Sequence, residues 1–145
     1  MTPTEMTPSV TESYVRSAFD KLAAGDISGF LELVSDVVDW TIINPEIKSS
    51  PISGRFGKTT FPAAKGSWVA CLAAPLQWIV NDVIVSGNKA VIQADGRGKD
   101  KHGKAFFSPH CWIFDFDDTP NHKIVKAIVF MDSALVRDVM ASNAA

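Results

Sequence analysis

The spacing of apolar positions changes period once along this chain, near residue 75. Before that point the apolar residues recur as they do on helices. Val10, Tyr14, Ala18 and Leu22 fall on one face over residues 9–24, with Ser9 or Thr11 placed to cap the helix. Gly25-Asp26 ends it, and Phe30, Leu31 and Val34 mark a second, short amphipathic helix. Residues 37–43 are β-branched and aromatic and predict a strand. Residues 44–58 contain Pro45, Pro51, Gly54 and Gly57, which predicts a loop long enough to wall or cover a pocket. Helical spacing returns over 60–74 with Phe61, Trp68, Val69 and Leu72, and Pro62 sits in the first turn, where its missing N–H costs little. Beyond residue 75 the period becomes two. Residues 76–85, 89–97, 104–116 and 122–132 are four β-runs joined by connections rich in turn formers, which predicts an antiparallel meander. Ser133 is placed to cap a last helix over 134–140. Helices followed by one large antiparallel sheet define the α+β class, and a long bent sheet with helices on one face encloses a pocket lined by alternate side chains.

Composition narrows this picture. Of 145 residues, 46% are hydrophobic and 21% charged, enough to build one packed core, expected over residues 9–141. Residues 1–8 read as a flexible arm and the last few, Ala-Ser-Asn-Ala-Ala, as a frayed tail. With 14 basic and 16 acidic residues the net charge is −2 and there is no basic block, which disfavours nucleic acid as a partner. No apolar run is long enough to span a bilayer and the N-terminus lacks the pattern of a secretory signal, so a cytoplasmic protein is expected. Cys71 and Cys111 lie in apolar contexts and read as buried reduced thiols.

Two isolated titratable residues stand out in the β-patterned half. His110 lies inside one apolar run and Asp132 closes the next. An Asp desolvated by Phe130 and Met131 would have a raised pKa and serve as a proton acceptor. The competing reading is a helix N-cap for 134–140. Strict alternation puts Asp132 on the face of Lys126, opposite Val125, Ala127, Val129 and Met131, so a pocket role requires a bulge within 128–131. His110 shares its face with Phe106, Ser108, Trp112 and Phe114. Imidazole titrates near neutrality and can donate or accept a proton, or else sit in the core bonded to a backbone carbonyl. Trp40, Trp68, Trp78 and Trp112, with Phe56, Phe61 and Phe106, form an aromatic pocket lining or simply core. Arg55 is a clamp for a substrate oxygen or a solvated loop charge. Gln93 is a ligand hydrogen-bonding group or a surface residue, and Phe130 is expected to contact the substrate. Tyr14, the only tyrosine, faces the pocket or the core. Cys111 alternates away from His110, and His102 and His122 lie in separate turns, which disfavours zinc.

This layout resembles the SnoaL-like branch of the NTF2-like superfamily, which includes ketosteroid isomerase, scytalone dehydratase and limonene epoxide hydrolases. The likeness covers roughly residues 10–140. It is carried by Asp36-Val37-Val38-Asp39-Trp40, by Ser53-Gly54-Arg55-Phe56 followed by Phe61, by Gly103-Lys104 before Cys111-Trp112-Ile113-Phe114, and by Met131-Asp132-Ser133-Ala134-Leu135-Val136. The resemblance implies a cone-shaped α+β fold, a homodimer, and a deep apolar pocket with neither metal nor organic cofactor. It implies Asp132 as an acid/base carboxylate, Ser108 and His110 as pocket-facing groups, and Trp40 and Trp112 as pocket residues. The chain departs from its relatives in three ways. Val129 and Phe130 stand where several relatives carry an acid. Gln93-Ala94-Asp95-Gly96 lacks the Arg-x-Asp pairing of the epoxide hydrolases. An oxyanion hole of tyrosine and protonated Asp, as in ketosteroid isomerase, finds only Tyr14. The expected activity is proton transfer on a hydrophobic polyketide- or terpenoid-type metabolite: isomerisation or cyclisation by Asp132 as base with His110 as acid or oxyanion partner. The alternatives are a dehydratase and a non-catalytic binding or dimerisation module.

Overall fold

The computed structural model describes residues 9–143. The proposed arm at residues 1–8 lies outside them. Helix α1 (Glu12–Ala23) starts where Thr11 accepts a hydrogen bond from the Tyr14 N–H, and it buries Val15, Ala18, Phe19 and Leu22. Helix α2 (Ile27–Leu31) is capped by Asp26 and buries Phe30. Strand β1 (Val34–Ile42) follows. The chain then loops to a short strand β2 (Gly54–Phe56) and to helix α3 (Phe61–Val69), which begins with a proline in its first turn. Strands β3 (Gln77–Ser86), β4 (Lys89–Lys99), β5 (Ala105–Phe116) and β6 (Ile124–Met131) precede helix α4 (Ser133–Ser142).

These six strands form one mixed sheet in the order β2-β1-β6-β5-β4-β3. The meander predicted for the second half is present, β3 to β6 pairing antiparallel in sequence order. Strand β1 adds to it parallel to β6, with Trp40 opposite Ala127 and Ile42 opposite Val129. Strand β2 sits within the stretch read as loop. It pairs antiparallel with β1 over only three residues, too short for period-two alternation to reveal. Helices α1 and α3 cover one face of the sheet. On that face β5 buries Phe106, Ser108, His110, Trp112, Phe114 and Phe116, so the predicted parity of this strand is observed. The result is the predicted α+β cone with a short C-terminal helix.

Pro109 lies inside β5, where a residue without an N–H would ordinarily break a ladder. It is tolerated because β6 ends opposite His110, leaving Pro109 a partner only on β4. The end of β5 that carries Ser108 therefore projects beyond β6 toward the start of α4.

The C-terminus corrects one expectation. Ala141 and Ser142 are helical and Asn143 is buried, because Asn143 docks on the β4–β5 turn. Its Nδ2 donates to Asp100 Oδ2 (3.3 Å) and its Oδ1 accepts from the Lys101 N–H (3.2 Å). Asp100 Oδ1 meanwhile accepts from the N–H groups of His102 and Lys104, both at 2.9 Å. Replacing Asn143 takes the partner of Asp100 Oδ2, while the Lys101 N–H keeps the Cys71 carbonyl at 3.1 Å. Asn143→Ala is expected to lower unfolding stability by about 1–3 kcal/mol, read from the urea midpoint. An unchanged midpoint would mean that α4 is not docked through this network.

Candidate active site

The concave face of the sheet and helices α1 and α3 enclose a narrow, tightly lined cleft. Phe19, Leu22 and Ala23 come from α1, Phe61, Lys65 and Trp68 from α3, Trp40 and Ile42 from β1, Trp78 from β3, His110 and Trp112 from β5, and Val129 and Met131 from β6. Eleven of these thirteen side chains are apolar or indole. The two titratable groups are His110 and Lys65.

His110 is 3% exposed and its ring is surrounded by indoles. Trp112 stacks at 5.0 Å and 26°, Trp68 at 5.9 Å and 29°, and Trp78 meets it edge-on at 4.9 Å and 89°. Nδ1 lies 3.1 Å from the Ser108 carbonyl oxygen and 3.1 Å from Ser108 Oγ. A carbonyl oxygen only accepts, so Nδ1 carries the proton in the neutral ring and Nε2 bears the lone pair. Nε2 is buried and has no protein partner among the described residues. Burial holds the imidazole down to about 4. The Ser108 carbonyl opposes that shift, and the charge of Lys65 adds to it. Lys65 shares one face of α3 with Phe61 and Trp68, at i, i+4 and i+7, and burial lowers its pKa also.

Several predicted site residues assemble here: Trp40, Phe61, Trp68, Trp112 and His110 line the cleft, Trp40 and Phe61 stacked at 3.9 Å and 8°. Ser108 and Phe106 stand behind them, Ser108 bonded to His110 and Phe106 stacked on Trp68 at 5.8 Å.

Others do not join the cleft. Asp132 is exposed and is the N-cap of α4, its Oδ1 accepting from the Leu135 N–H at 3.1 Å. The bulge that would have turned it inward is absent. Pairing of β6 with β5 is regular from Lys126 to Met131, and the irregularity falls near Val125. Met131 therefore takes the inward position, and Phe130 (48% exposed) points to the opposite face with Gln93 and Cys111. Arg55 is exposed on the edge strand β2. The Tyr14 hydroxyl is shared between the carbonyls of His122 (3.0 Å) and Asn121 (3.1 Å) at the β5–β6 turn, with its ring against Phe116, so its hydrogen-bonding capacity is spent on structure. Lys58 pairs with Asp36 at 2.9 Å. Cys71 and Cys111 are free thiols, Cys71 buried and Cys111 only half-buried. Among the described residues no three His, Cys, Asp or Glu side chains converge as metal ligands do.

Lys65, Val129 and Met131 are cleft residues that sequence reasoning missed. Lys65 left a signal: it is the one charged residue in the helix Phe-Pro-Ala-Ala-Lys-Gly-Ser-Trp-Val, spaced to share a face with Phe61 and Trp68.

No protein-family model and no curated protein matches the chain. Solved structures match it over most of their length. An NTF2-like protein of unknown function from Burkholderia pseudomallei is 20% identical, the alignment covering 90% of this chain and 95% of that one with a TM-score of 0.70. A protein from Catenulispora acidiphila with a ketosteroid isomerase-like fold, in complex with trimethylamine, is 13% identical over 91% of this chain and 95% of its own, with a TM-score of 0.66. TerC, co-crystallised with polyporic acid, is 12% identical over 88% and 95%, with a TM-score of 0.70. The chain thus has the NTF2-like fold, shared with proteins described as ketosteroid isomerase-like.

A buried histidine with a depressed pKa couples stability to pH. The folded value of about 4 lies below the unfolded reference of about 6.5, so the unfolded chain binds the proton more readily. The associated stability is complete above about 6.5 and is lost as pH falls through the interval to about 4, by an upper limit of about 3 kcal/mol. His110→Gln is expected to flatten this part of the stability–pH curve. A curve unchanged by the substitution would show that His110 is not the group responsible.

Proposed function

We propose that the protein is a cofactor-independent acid/base enzyme of the SnoaL-like type, acting on a small, hydrophobic, oxygenated metabolite such as a polyketide or terpenoid intermediate. The observation that carries this reading is the unpartnered, lone-pair-bearing Nε2 of His110, buried in a cleft that otherwise offers apolar and indole surface. The base is His110 in place of Asp132. Nε2 takes a proton from carbon next to a carbonyl, the electron pair moves into an enolate, and the imidazolium returns the proton at another carbon. The net reaction is isomerisation, or cyclisation when the enolate carbon attacks a second carbonyl of the same molecule, whose C=O π bond opens to an alkoxide that takes the proton from the imidazolium. The Ser108 carbonyl holds the ring in the Nδ1–H tautomer throughout and stabilises the imidazolium. The indoles hold a flat substrate across the ring and exclude water.

A pKa near 4 makes His110 a weak base in the empty cleft but keeps it unprotonated at neutral pH. The enolate formed beside the imidazolium raises that pKa as the reaction proceeds, so basicity develops where the anion develops. A weak base suits acidic C–H bonds, those next to one carbonyl and conjugated to a second or to an arene.

Pairing of two copies through the outer sheet face accompanies this reading. Ile79 (51% exposed), Ile84 (55%) and Phe130 (48%) lie on that face with Cys111 and would be covered. Sedimentation at micromolar concentration should give a dimer, and a stable monomer would remove this element.

Proton transfer is measured with 2-tetralone, an enolisable flat ketone, by following exchange of its α-protons in deuterated water. Wild-type protein should accelerate exchange, His110→Gln should lose about 100-fold or more, and Asp132→Asn should stay within about twofold of wild type. Saturable binding of the ketone with exchange no faster than in buffer would favour a binding module. Equal rates for wild type and His110→Gln would remove His110 as the base.

A further inference from the structure

The cleft holds one cation and no carboxylate. Lys65 belongs to none of the four ion pairs among the described residues, which join Arg16 to Glu12, Lys58 to Asp36, Lys89 to Asp115 and Arg137 to Asp138. It makes no side-chain hydrogen bond to any described residue that would balance its charge. Of the elements packed around the cleft, β5 contributes His110 as the other titratable group, while the lining residues of α1, β1, β3 and β6 are all uncharged. A half-buried ammonium without a counter-ion, set beside a histidine that burial keeps neutral, leaves the cleft with a net positive character. Partial burial desolvates that charge, which makes an anion a favourable companion for it.

We propose that Lys65 is an oxyanion-binding residue and that the ligand itself supplies the missing negative charge: a flat acidic oxygen compound, namely a phenol, an enol or an aryl carboxylate, with its ionised oxygen on Lys65 Nζ and its ring among the indoles. The inference uses the cleft as a ligand site and does not depend on His110 acting as a base. It does specify how that chemistry would be completed, since the enolate oxygen would meet the ammonium while the carbon meets Nε2. The place held elsewhere in this fold by a tyrosine and a protonated Asp is then filled by a helix-borne lysine.

The aromatic lining is equally suited to a neutral ring, so the charge has to be tested against a neutral partner of the same shape. The probe is 4-nitrophenol, whose ionised form is read directly by absorbance, compared with 4-nitroanisole. Wild-type protein is expected to bind the phenolate saturably, to raise its ionised fraction at a pH below the solution midpoint, and to bind 4-nitroanisole at least tenfold more weakly. Lys65→Met should lose the spectral shift and about tenfold or more in phenolate affinity, with an unchanged urea midpoint. Lys65→Arg should retain both, and His110→Gln should still bind the phenolate. The proposal is overturned if the phenol does not bind, if it binds with its ionisation unchanged or suppressed, if the anisole binds as tightly, or if Lys65→Met binds phenolate like wild type. Phenolate binding by the wild type with no acceleration of 2-tetralone exchange would remove His110 as the base and leave the anion site standing, which separates the two readings.

Discussion

The site depends on a contact between residues two apart on one strand. Ser108 and His110 both point inward from β5, and the Ser108 carbonyl lies 3.1 Å from His110 Nδ1. That bond decides which imidazole nitrogen carries the proton, and so which one is left as a buried, unpartnered lone pair. It requires an imidazole that cannot turn. Trp112, Trp68 and Trp78 supply that restraint by occupying three sides of the ring. The same indoles deprive the ring of water, and desolvation dominates the fall in its pKa. The Ser108 carbonyl thus sets the tautomer, while orientation and protonation state share one cause, the burial of a polar ring in a wall of tryptophan.

The sheet provides the frame for that wall. The ladder between β4 and β5 runs unbroken from Lys89–Asp115 to Lys99–Ala105, which keeps every second β5 residue on the concave face. β6 stops opposite His110, so β5 continues past it with Pro109 on a partly free edge and Ser108 fully buried. The parallel insertion of β1 brings Trp40 and Ile42 beside Ala127 and Val129 and closes the cleft on its other side. Without that strand the Trp40–Phe61 stack would have no support from the sheet.

Much of this was legible in the sequence where period and parity are strong. The helix over 9–24, the four-strand meander and the inward set Phe106–Ser108–His110–Trp112 follow from simple alternation. What failed has physical reasons. Asp132 has the composition of a desolvated acid and the position of a helix cap, and regular β6 pairing selects the cap. Phe130 and Gln93 were drawn toward the pocket by their chemistry, although parity places both on the outer face. Tyr14 is spent on the carbonyls of a distant turn, a contact 107 and 108 residues away that no local pattern predicts. Lys65 was overlooked because a single lysine on a short helix reads as solvated. Its companions Phe61 and Trp68 on the same face were the available sign.

The chemistry of the cleft rests on one nitrogen, most directly examined by ¹⁵N NMR of the His110 side chain across a pH titration. Neutral imidazole with the proton on Nδ1 at pH 7, titrating near 4, is the predicted result. A proton on Nε2, or titration near the ordinary value of about 6.5, would contradict it, since the cleft would then hold no free lone pair or no desolvated base.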